Sequence, residues 1–308
     1  MAANVTIGII GTGWVGASVA ISTLHAGIAQ ELLLYDTRAA VAEGEAMDLA
    51  HGASFYPAAV VRATDIDEML GADAVVIAAG RGGRPNESRL DLLNDNARIV
   101  RELAVRFRSY DGIVVIVTNP VDVLTFEFAR ASRLPPARVL GTGTMLDTAR
   151  LRQTVGRTLG IDPQSVHAQV VGEHGDSEVV LWSSARAAGV PLAHWPTWTT
   201  DAEARIAAYV RSAAYEIIRR KGATNHAIGL VTAALLRAVM RDEHRVLTVS
   251  RVQEGAAGVR DVALSLPAIV ARGGAAHVIA PEFSESERAA LERSADVLRR
   301  AIAEMRQP

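Results

Sequence analysis

One stretch of sequence decides the fold of this chain: Val5-Thr6-Ile7-Gly8-Ile9-Ile10-Gly11-Thr12-Gly13-Trp14-Val15-Gly16. Its first half is a continuous apolar run, which predicts a strand buried on both faces. Its second half has the spacing G-x-G-x-x-G. In that spacing the first glycine allows a tight turn, the second lets a pyrophosphate approach the backbone, and the third lets helix and strand pack closely. We therefore expect a strand, a phosphate-binding loop and a helix.

The rest of the first half repeats this alternation of strand and helix. Further short apolar runs predict strands at 31–35, 60–62, 74–78 and 113–117. Amphipathic segments between them predict helices at 15–26, 41–51 and 90–108. Such βαβ units form a mostly parallel sheet with helices on both faces. We predict an α/β Rossmann domain, doubly wound, over residues 1–141.

The second half has longer helices and fewer strands, which predicts an α+β domain over residues 142–308. Helices are expected at 146–159, 202–221 and 225–241, and strands at 166–171, 246–250 and 262–269. Ser284 and Glu287 form a capping-box pattern that opens a last helix at 286–306. Because no low-complexity linker separates the halves, we expect them to pack closely and to place the site in the crevice between them.

Composition excludes several classes of function. The chain of 308 residues has 32 basic and 34 acidic side chains, so its net charge of −2 argues against nucleic acid or a membrane surface as a partner. It has no cysteine, which excludes disulfides, thiol catalysis and thiolate zinc sites, and we expect no metal. The N-terminus lacks a basic signal region and no apolar stretch is long enough to span a membrane, so we expect a cytoplasmic protein.

The cofactor is predicted from the residue that ends the second strand. Asp36 lies 20 residues after Gly16, where a carboxylate can accept the ribose hydroxyls of NAD and repel the 2′-phosphate of NADP. The neighbouring Arg38 is the one feature here that would favour the phosphate. The alternative is that the glycines serve only a turn and Asp36 only caps a strand. We predict NAD.

Five further segments carry polar residues suited to 2-oxo acid chemistry: 86–92, 118–122, 146–152, 172–177 and 221–229. Together with the glycine-rich loop, in this order and over nearly the whole length, they resemble the L-lactate/malate dehydrogenase family. The resemblance implies a Rossmann domain followed by a substrate domain, with NAD as cofactor. It also implies hydride transfer between a 2-hydroxy acid and its 2-oxo acid, and a dimer or tetramer.

The resemblance assigns the proton chemistry to His174 and Asp147. His174 matches the family's proton donor and acceptor, and an imidazole exists in both forms near neutrality. Asp147 matches the carboxylate that fixes its tautomer and favours the imidazolium. Arg150, three residues after Asp147, matches the guanidinium that receives the substrate carboxylate as a bidentate fork. We interpret Asp122 and Asp176 as structural.

The remaining roles are also implied by the resemblance. Arg89 matches the mobile-loop arginine that polarises the carbonyl, and Gly80, Gly82 and Gly83 would let that loop close and exclude water. Asn119 matches the amide that orients substrate and nicotinamide. Thr224 and Ile228 match positions that line the two pockets. The complete set of cofactor residues is Gly11, Thr12, Gly13, Trp14, Val15, Gly16, Asp36, Arg38, Ala79, Gly80, Asn119 and Ile228.

The substrate selector departs from the family pattern. Six residues before the loop arginine, the family has Gln for lactate and Arg for malate, whereas this chain has Gly83. A second carboxylate buried without a partner is costly, which argues against malate. Three substrates stay open: pyruvate, which the flanking segments favour; a bulkier 2-oxo acid using the space at Gly83; and oxaloacetate paired by Arg84.

A further resemblance concerns regulation. Bacterial lactate dehydrogenases activated by fructose 1,6-bisphosphate carry an arginine and a histidine at the positions of Arg152 and His167. Paired across a subunit interface, these side chains would form a phosphate-sized cationic site for a sugar bisphosphate. The alternative is a surface ion pair at Arg152 and a strand position at His167.

Two other classes are compatible with a Rossmann domain. NAD-dependent glycoside hydrolases place one before a second domain, but they resemble this chain less because they use a metal with Cys and His ligands. A non-enzymatic NAD sensor would need the glycine loop alone. It would have no use for His174, Asp147, Arg89 and Arg150 together, so we favour an enzyme.

Overall fold

The computed structural model describes residues 4–82 and 89–305. Its centre is a nine-stranded sheet with the strand order β14-β13-β12-β6-β5-β4-β1-β2-β3. The strands of this sheet are β1 (Thr6–Ile10), β2 (Glu31–Tyr35), β3 (Val60–Ala63), β4 (Ala74–Ile77), β5 (Ile113–Ile116), β6 (Val139–Gly141), β12 (Arg245–Glu254), β13 (Arg260–Ala271) and β14 (Gly274–Val278).

The six strands from β1 to β6 are parallel and confirm the predicted doubly wound Rossmann sheet. Chain order reverses between β1 and β4, so the loops that follow these two strands open a crevice at the carboxyl edge. The helices of the described chain are α1 (Trp14–His25), α2 (Ala39–His51), α3 (Ile66–Met69), α4 (Arg89–Arg106), α5 (Val121–Ser132), α6 (Met145–Leu159), α7 (Thr200–Lys221), α8 (His226–Met240) and α9 (Glu285–Met305).

The core lies on both faces of the parallel strands. Alternate residues of β1 and β4 point to opposite faces, because side chains alternate along a strand. Ile10 and Ile77 belong to an apolar cluster with α4, α5 and α9, while Ile9 and Val76 belong to another with α1, α2 and α8. Burial on both faces explains why these strands have continuous apolar sequences.

The second half of the chain extends the same sheet. β12 pairs antiparallel with β6 at Ser250 and Gly141, and β13 and β14 continue outward from it. α6, α7 and two small sheets enclose a third apolar cluster. The strands of the small sheets are β7 (Val166–His167), β8 (Val170–Val171), β9 (Val179–Val180), β10 (Arg186–Ala187) and β11 (Val190–Pro191).

The structure corrects one prediction for this half and confirms another. The strand predicted at 166–171 is divided, because β7 pairs with β10 whereas β8 pairs with β9. The capping box is confirmed: the backbone N–H of Ser284 donates to Glu287 Oε2 at 2.8 Å, and the N–H of Glu287 donates to Ser284 Oγ at 3.3 Å.

Within the described ranges, no helix combines the length and the apolar character needed to cross a membrane.

Candidate active site

The glycine-rich loop shows why each of its glycines is needed. Gly11 has a φ of 95°, in the left-handed region that favours glycine. A Cβ on Gly16 would lie 1.9 Å from the carbonyl oxygen of Gly11, so α1 can pack this closely on the loop only without a side chain there. A Cβ on Gly13 would meet no protein atom within 4 Å. The space above Gly13 is therefore open to a ligand.

The N-terminus of α1 faces the same space and suits an anion. Gly13 is its N-cap residue, no side chain caps the helix, and its first turn has no acidic residue. The first N–H groups of a helix have no partner within the helix and carry partial positive charge. A pyrophosphate placed over Gly13 would satisfy them, as in dinucleotide-binding folds.

Asp36 lies directly after β2, beside this loop. Its Oδ2 accepts a hydrogen bond from the backbone N–H of Thr12 at 3.1 Å, and its Oδ1 accepts one from the N–H of Arg38 at 3.0 Å. Burial raises the pKa of Asp36, but these bonds and the Arg38 charge outweigh it and leave the pKa below its usual value. Asp36 is therefore a carboxylate, able to accept ribose hydroxyls and to repel a phosphate.

These features share one groove of about 610 Å³, and its lining fits a dinucleotide. The lining includes Gly11, Gly13, Asp36, Arg38, Ala79 and Gly80. Trp14, which was also predicted to contact the cofactor, lies elsewhere: it lines a second groove between α1, α2 and α8. Val15 packs against the apolar core.

In the second half of the chain, Asp147 contacts the two other predicted chemical groups, His174 and Arg150. Its Oδ2 lies 2.5 Å from His174 Nδ1, and its Oδ1 accepts a hydrogen bond from Arg150 Nη1 at 2.8 Å. Asp147 and Arg150 are one turn apart on α6, whose N-terminal end lies just after β6. The carboxylate thus positions both the imidazole and the guanidinium.

This contact determines the charge of His174. Burial lowers the pKa of the imidazole, but the Asp147 charge and its hydrogen bond, together with the charge of Asp122, raise it to about 9. For Asp147, burial raises the pKa, and His174 and Arg150 outweigh it and lower the pKa below its usual range. Near neutral pH the pair is therefore an imidazolium and a carboxylate.

The loop that carries His174 is fixed by its backbone. The N–H of Gly172 donates to Ser265 O at 2.9 Å, and that of Glu173 donates to Ser294 Oγ at 2.8 Å. The N–H of His174 donates to Asp122 Oδ2 at 2.7 Å. β13, α9 and α5 thus each hold one of three consecutive residues. The structural role expected for Asp122 stays a prediction, but the carboxylate contacts the catalytic loop directly.

Asn119 lies at the end of β5, close to the loop after β4. The side chain of Asn96, buried on α4, links the two: its Nδ2 donates to Asn119 O at 3.0 Å, and its Oδ1 accepts from the N–H of Arg81 at 2.9 Å. A Cβ on Gly80 would lie 2.4 Å from Thr118 Cγ2, so this loop passes close to β5. Asn96 was not predicted from the sequence, although it is a polar residue on the buried stripe of α4.

The remaining predicted site residues lie around the loop before α4 and at the start of α8. Gly83 and Arg84 lie outside the described residues, and Arg89 begins α4 with a side chain that is likewise not described. Thr224 is half-buried in the turn between α7 and α8, and Ile228 is half-buried in the first turn of α8.

The two residues predicted for a sugar bisphosphate, Arg152 and His167, are brought near each other by a contact of Arg152 with the strand segment around His167. Arg152 Nε donates to the carbonyl oxygen of Ala168 at 3.0 Å, next to the exposed His167 on β7. Arg186 on β10 is the cross-strand partner of His167. Burial and the charge of Arg245 lower the pKa of Arg152. The region is therefore rich in cationic groups.

The described residues contain no group of three histidine, cysteine or acidic side chains arranged to hold a metal ion. What these residues do form is a groove lined by the glycine loop and Asp36, and a cluster of an imidazolium, a carboxylate and a guanidinium around Asp147. This combination defines a dinucleotide-dependent dehydrogenase acting on a carboxylate-bearing hydroxy acid.

Comparison with known proteins gives the family. Residues 5–141 match the description "lactate/malate dehydrogenase, NAD binding domain", and residues 144–307 match "lactate/malate dehydrogenase, alpha/beta C-terminal domain". The chain belongs to the lactate/malate dehydrogenase family, and its cofactor is NAD.

Individual relatives are similar over their full length. The chain is 44% identical to an L-lactate dehydrogenase of Synechococcus, covering 97% of this chain and 98% of that protein. It is also 44% identical to an L-lactate dehydrogenase of Salinibacter ruber, covering 97% of each. The crystal structure of a minor L-lactate dehydrogenase from Enterococcus mundtii superposes with a TM-score of 0.96 at 36% identity, covering 99% of each chain.

Proposed function

We propose that this protein is an NAD-dependent L-lactate dehydrogenase that interconverts pyruvate and L-lactate. The observation that carries the proposal is the Asp147 bridge, which holds His174 and Arg150 together. The names of the relatives support lactate and pyruvate as the substrate pair.

In the proposed mechanism, the residues around Gly13 and Asp36 would hold NADH, which would supply the hydride. Arg150 binds the substrate carboxylate through its planar pair of N–H groups. His174 donates the proton from Nε2 to the carbonyl oxygen of the substrate, while Asp147 holds Nδ1 and stabilises the imidazolium until then. Arg89 polarises the carbonyl, and Asn119 orients the substrate.

The test compares four 2-oxo acids: pyruvate, oxaloacetate, 2-oxoisocaproate and phenylpyruvate, each measured by loss of NADH absorbance. Pyruvate is expected to give the highest kcat/KM, because Gly83 supplies no charge for a second carboxylate. A preference for oxaloacetate would assign charge pairing to Arg84 and identify a malate dehydrogenase. A preference for the bulky acids would assign the space at Gly83 to their side chains.

The proposed assembly is a homo-oligomer, dimer or tetramer. Two large apolar side chains that line the second groove are exposed, Phe55 by 88% and Trp14 by 64%, and Leu230 on α8 is 65% exposed. Exposed apolar surface of this kind marks a protein interface, and we assign it to a second copy of the chain. Light scattering should show at least a dimer, and Phe55→Glu should shift it towards monomer. A monomeric wild-type protein at micromolar concentration would refute this assignment.

We also propose that Arg152 and His167 bind a sugar bisphosphate. The cationic groups around them support it, since a phosphate is best held by several charge-assisted hydrogen bonds. Fructose 1,6-bisphosphate should then lower the KM for pyruvate. Kinetics unchanged by the effector would remove the proposal. The domain boundary at residues 141 and 142 and the cytoplasmic location stay predictions from the sequence.

A further inference from the structure

A buried carboxyl group beside the catalytic cluster has no role in the mechanism above. Glu178 lies four residues after His174 and is only 6% exposed. The turn from Gly175 brings it inward, since its backbone N–H donates to Gly175 O at 3.2 Å. Within the described residues, its Oε1 is buried and has no hydrogen-bond partner. An ionised carboxylate in such a position is strongly disfavoured.

The charges facing Glu178 come from three elements. Asp147 and Arg150 lie on α6, His174 lies on its own loop, and Arg211 lies on α7. Burial is the largest effect on Glu178, and together with the Asp147 charge it raises the pKa to about 8. The charges of Arg211, His174 and Arg150 oppose this only in part.

Two neighbouring carboxyl groups therefore have opposite states near neutral pH. Both oxygens of Asp147 have partners, and this group is ionised. Glu178 Oε1 has no hydrogen-bond partner in the described part of the chain, and this group keeps its proton. A pair of titratable groups with diverging pKa values is typical of an active site in which each group has a different task.

We propose that Glu178 is a positioning residue that keeps its carboxyl group protonated beside the His174–Asp147–Arg150 cluster, and that this proton allows the cluster to bind the carboxylate of a 2-oxo acid. Ionisation of Glu178 would place a second negative charge where the substrate carboxylate must enter, in a region of low dielectric. Substrate binding and retention of the Glu178 proton are thus linked. The chemical step itself does not use Glu178.

This inference rests on the proposed function, and it predicts a KM effect without a matching kcat effect. In the wild type, both His174 and Glu178 must carry protons for 2-oxo acid to bind. Above about pH 9, log KM for pyruvate should therefore rise with a limiting slope of about two per pH unit. In Glu178→Gln, which is neutral at every pH and of the same shape, the slope should be about one.

The matched control is Glu292→Gln, which neutralises an exposed carboxylate on α9 and should keep the wild-type slope. Equal slopes in the wild type and in Glu178→Gln would overturn the inference. A kcat that falls with pH in the wild type but not in the variant, at constant KM, would overturn it as well. A wild type that reduces no 2-oxo acid would instead refute the proposed function.

A second measurement needs only the wild type and covers the case in which the variant does not fold. Oxamate, an unreactive analogue of pyruvate, is titrated into the protein with NADH in two buffers of different ionisation enthalpy, so that calorimetry counts the protons taken up. Above about pH 9, uptake should exceed one proton per oxamate, because both His174 and Glu178 are protonated again on binding. Uptake that stays at one proton or fewer would assign the linkage to His174 alone and overturn the inference.

Discussion

Replacing Asp147 by Asn removes the carboxylate that keeps His174 protonated while leaving an oxygen that can still accept from Arg150. The stabilisation that the His174 imidazolium loses can be derived from its pKa, which is raised from 6.5 to about 9 although burial acts in the opposite direction. At about 1.4 kcal/mol per pKa unit, the groups that raise the pKa, Asp147 first among them, favour the imidazolium by about 3 kcal/mol or more.

The consequence is a smaller fraction of active enzyme. In Asp147→Asn the pKa of His174 should fall to 6.5 or below, since burial and the Arg150 charge then dominate. At about pH 7.5, the imidazolium form would decrease from about 97% to less than about 10%. The kcat/KM for pyruvate should therefore fall at least about tenfold, and further if the amide selects the wrong tautomer.

The assay is the pH profile of kcat/KM for pyruvate from about pH 5.5 to about pH 10. For the wild type, the alkaline limb should begin near the Glu178 pKa of about 8 and steepen near the His174 pKa of about 9, whereas for Asp147→Asn it should begin at 6.5 or below. Asp296→Asn, an exposed carboxylate on α9, serves as the control. An alkaline limb that stays in place in Asp147→Asn would refute the reasoning.

Three further predictions concern the carboxylate fork, the glycine loop and cofactor choice. Arg150→Lys should raise the KM for pyruvate by at least about tenfold, because an ammonium lacks the planar pair of donors; an unchanged KM would place the carboxylate site elsewhere. Gly16→Ala should cost about 1–3 kcal/mol of unfolding free energy and weaken NADH binding, because the new Cβ would lie 1.9 Å from Gly11 O; thermal melts and fluorescence titration measure both, and wild-type values would contradict the packing argument. Asp36→Ala should weaken NADH binding and improve NADPH binding, since a carboxylate beside the ribose is removed while Arg38 stays; an unaltered NADH to NADPH preference would show that Asp36 does not select the cofactor.

Much of the parallel sheet could be predicted because its strands are buried on both faces. The strand predicted at 31–35 matches β2, and the other four strands of the first half agree to within one residue at each end. α5 was missed: its sequence follows directly on Pro120, and its buried face includes polar residues such as Asp122 and Glu127. β6 is only three residues long, too short for a periodicity signal.

Pairing between distant strands could not be predicted in the same way. The sequence indicated strands at 246–250 and 262–269 but did not indicate that they extend the Rossmann sheet through β6. Which strand edge accepts another depends on tertiary packing rather than on local pattern. β12 and β13 are also longer than predicted, because they form one long hairpin.

For the site, too, local motifs predicted some residues, whereas others depend on tertiary structure. Motifs placed His174, Asp147 and Arg150 together, since Asp147 and Arg150 share a helix face and the family pattern supplies the histidine. The supporting contacts of Asn96 and Glu178 come from tertiary structure. Each follows other polar residues in the sequence, so the sequence alone does not distinguish a supporting role from an ordinary surface position.

The pairing of β6 with β12 has a consequence for how such enzymes can be recombined. The groove for the cofactor is built on β1, β2 and β4, while the histidine loop is tied to β13, and one hydrogen-bonded sheet joins these strands. In a chimaera cut at the midpoint of the chain, β6 of one parent would have to form backbone hydrogen bonds with β12 of the other, in addition to the side-chain contacts between the halves. Exchange of halves between relatives should succeed only where the register of β6 on β12 is preserved.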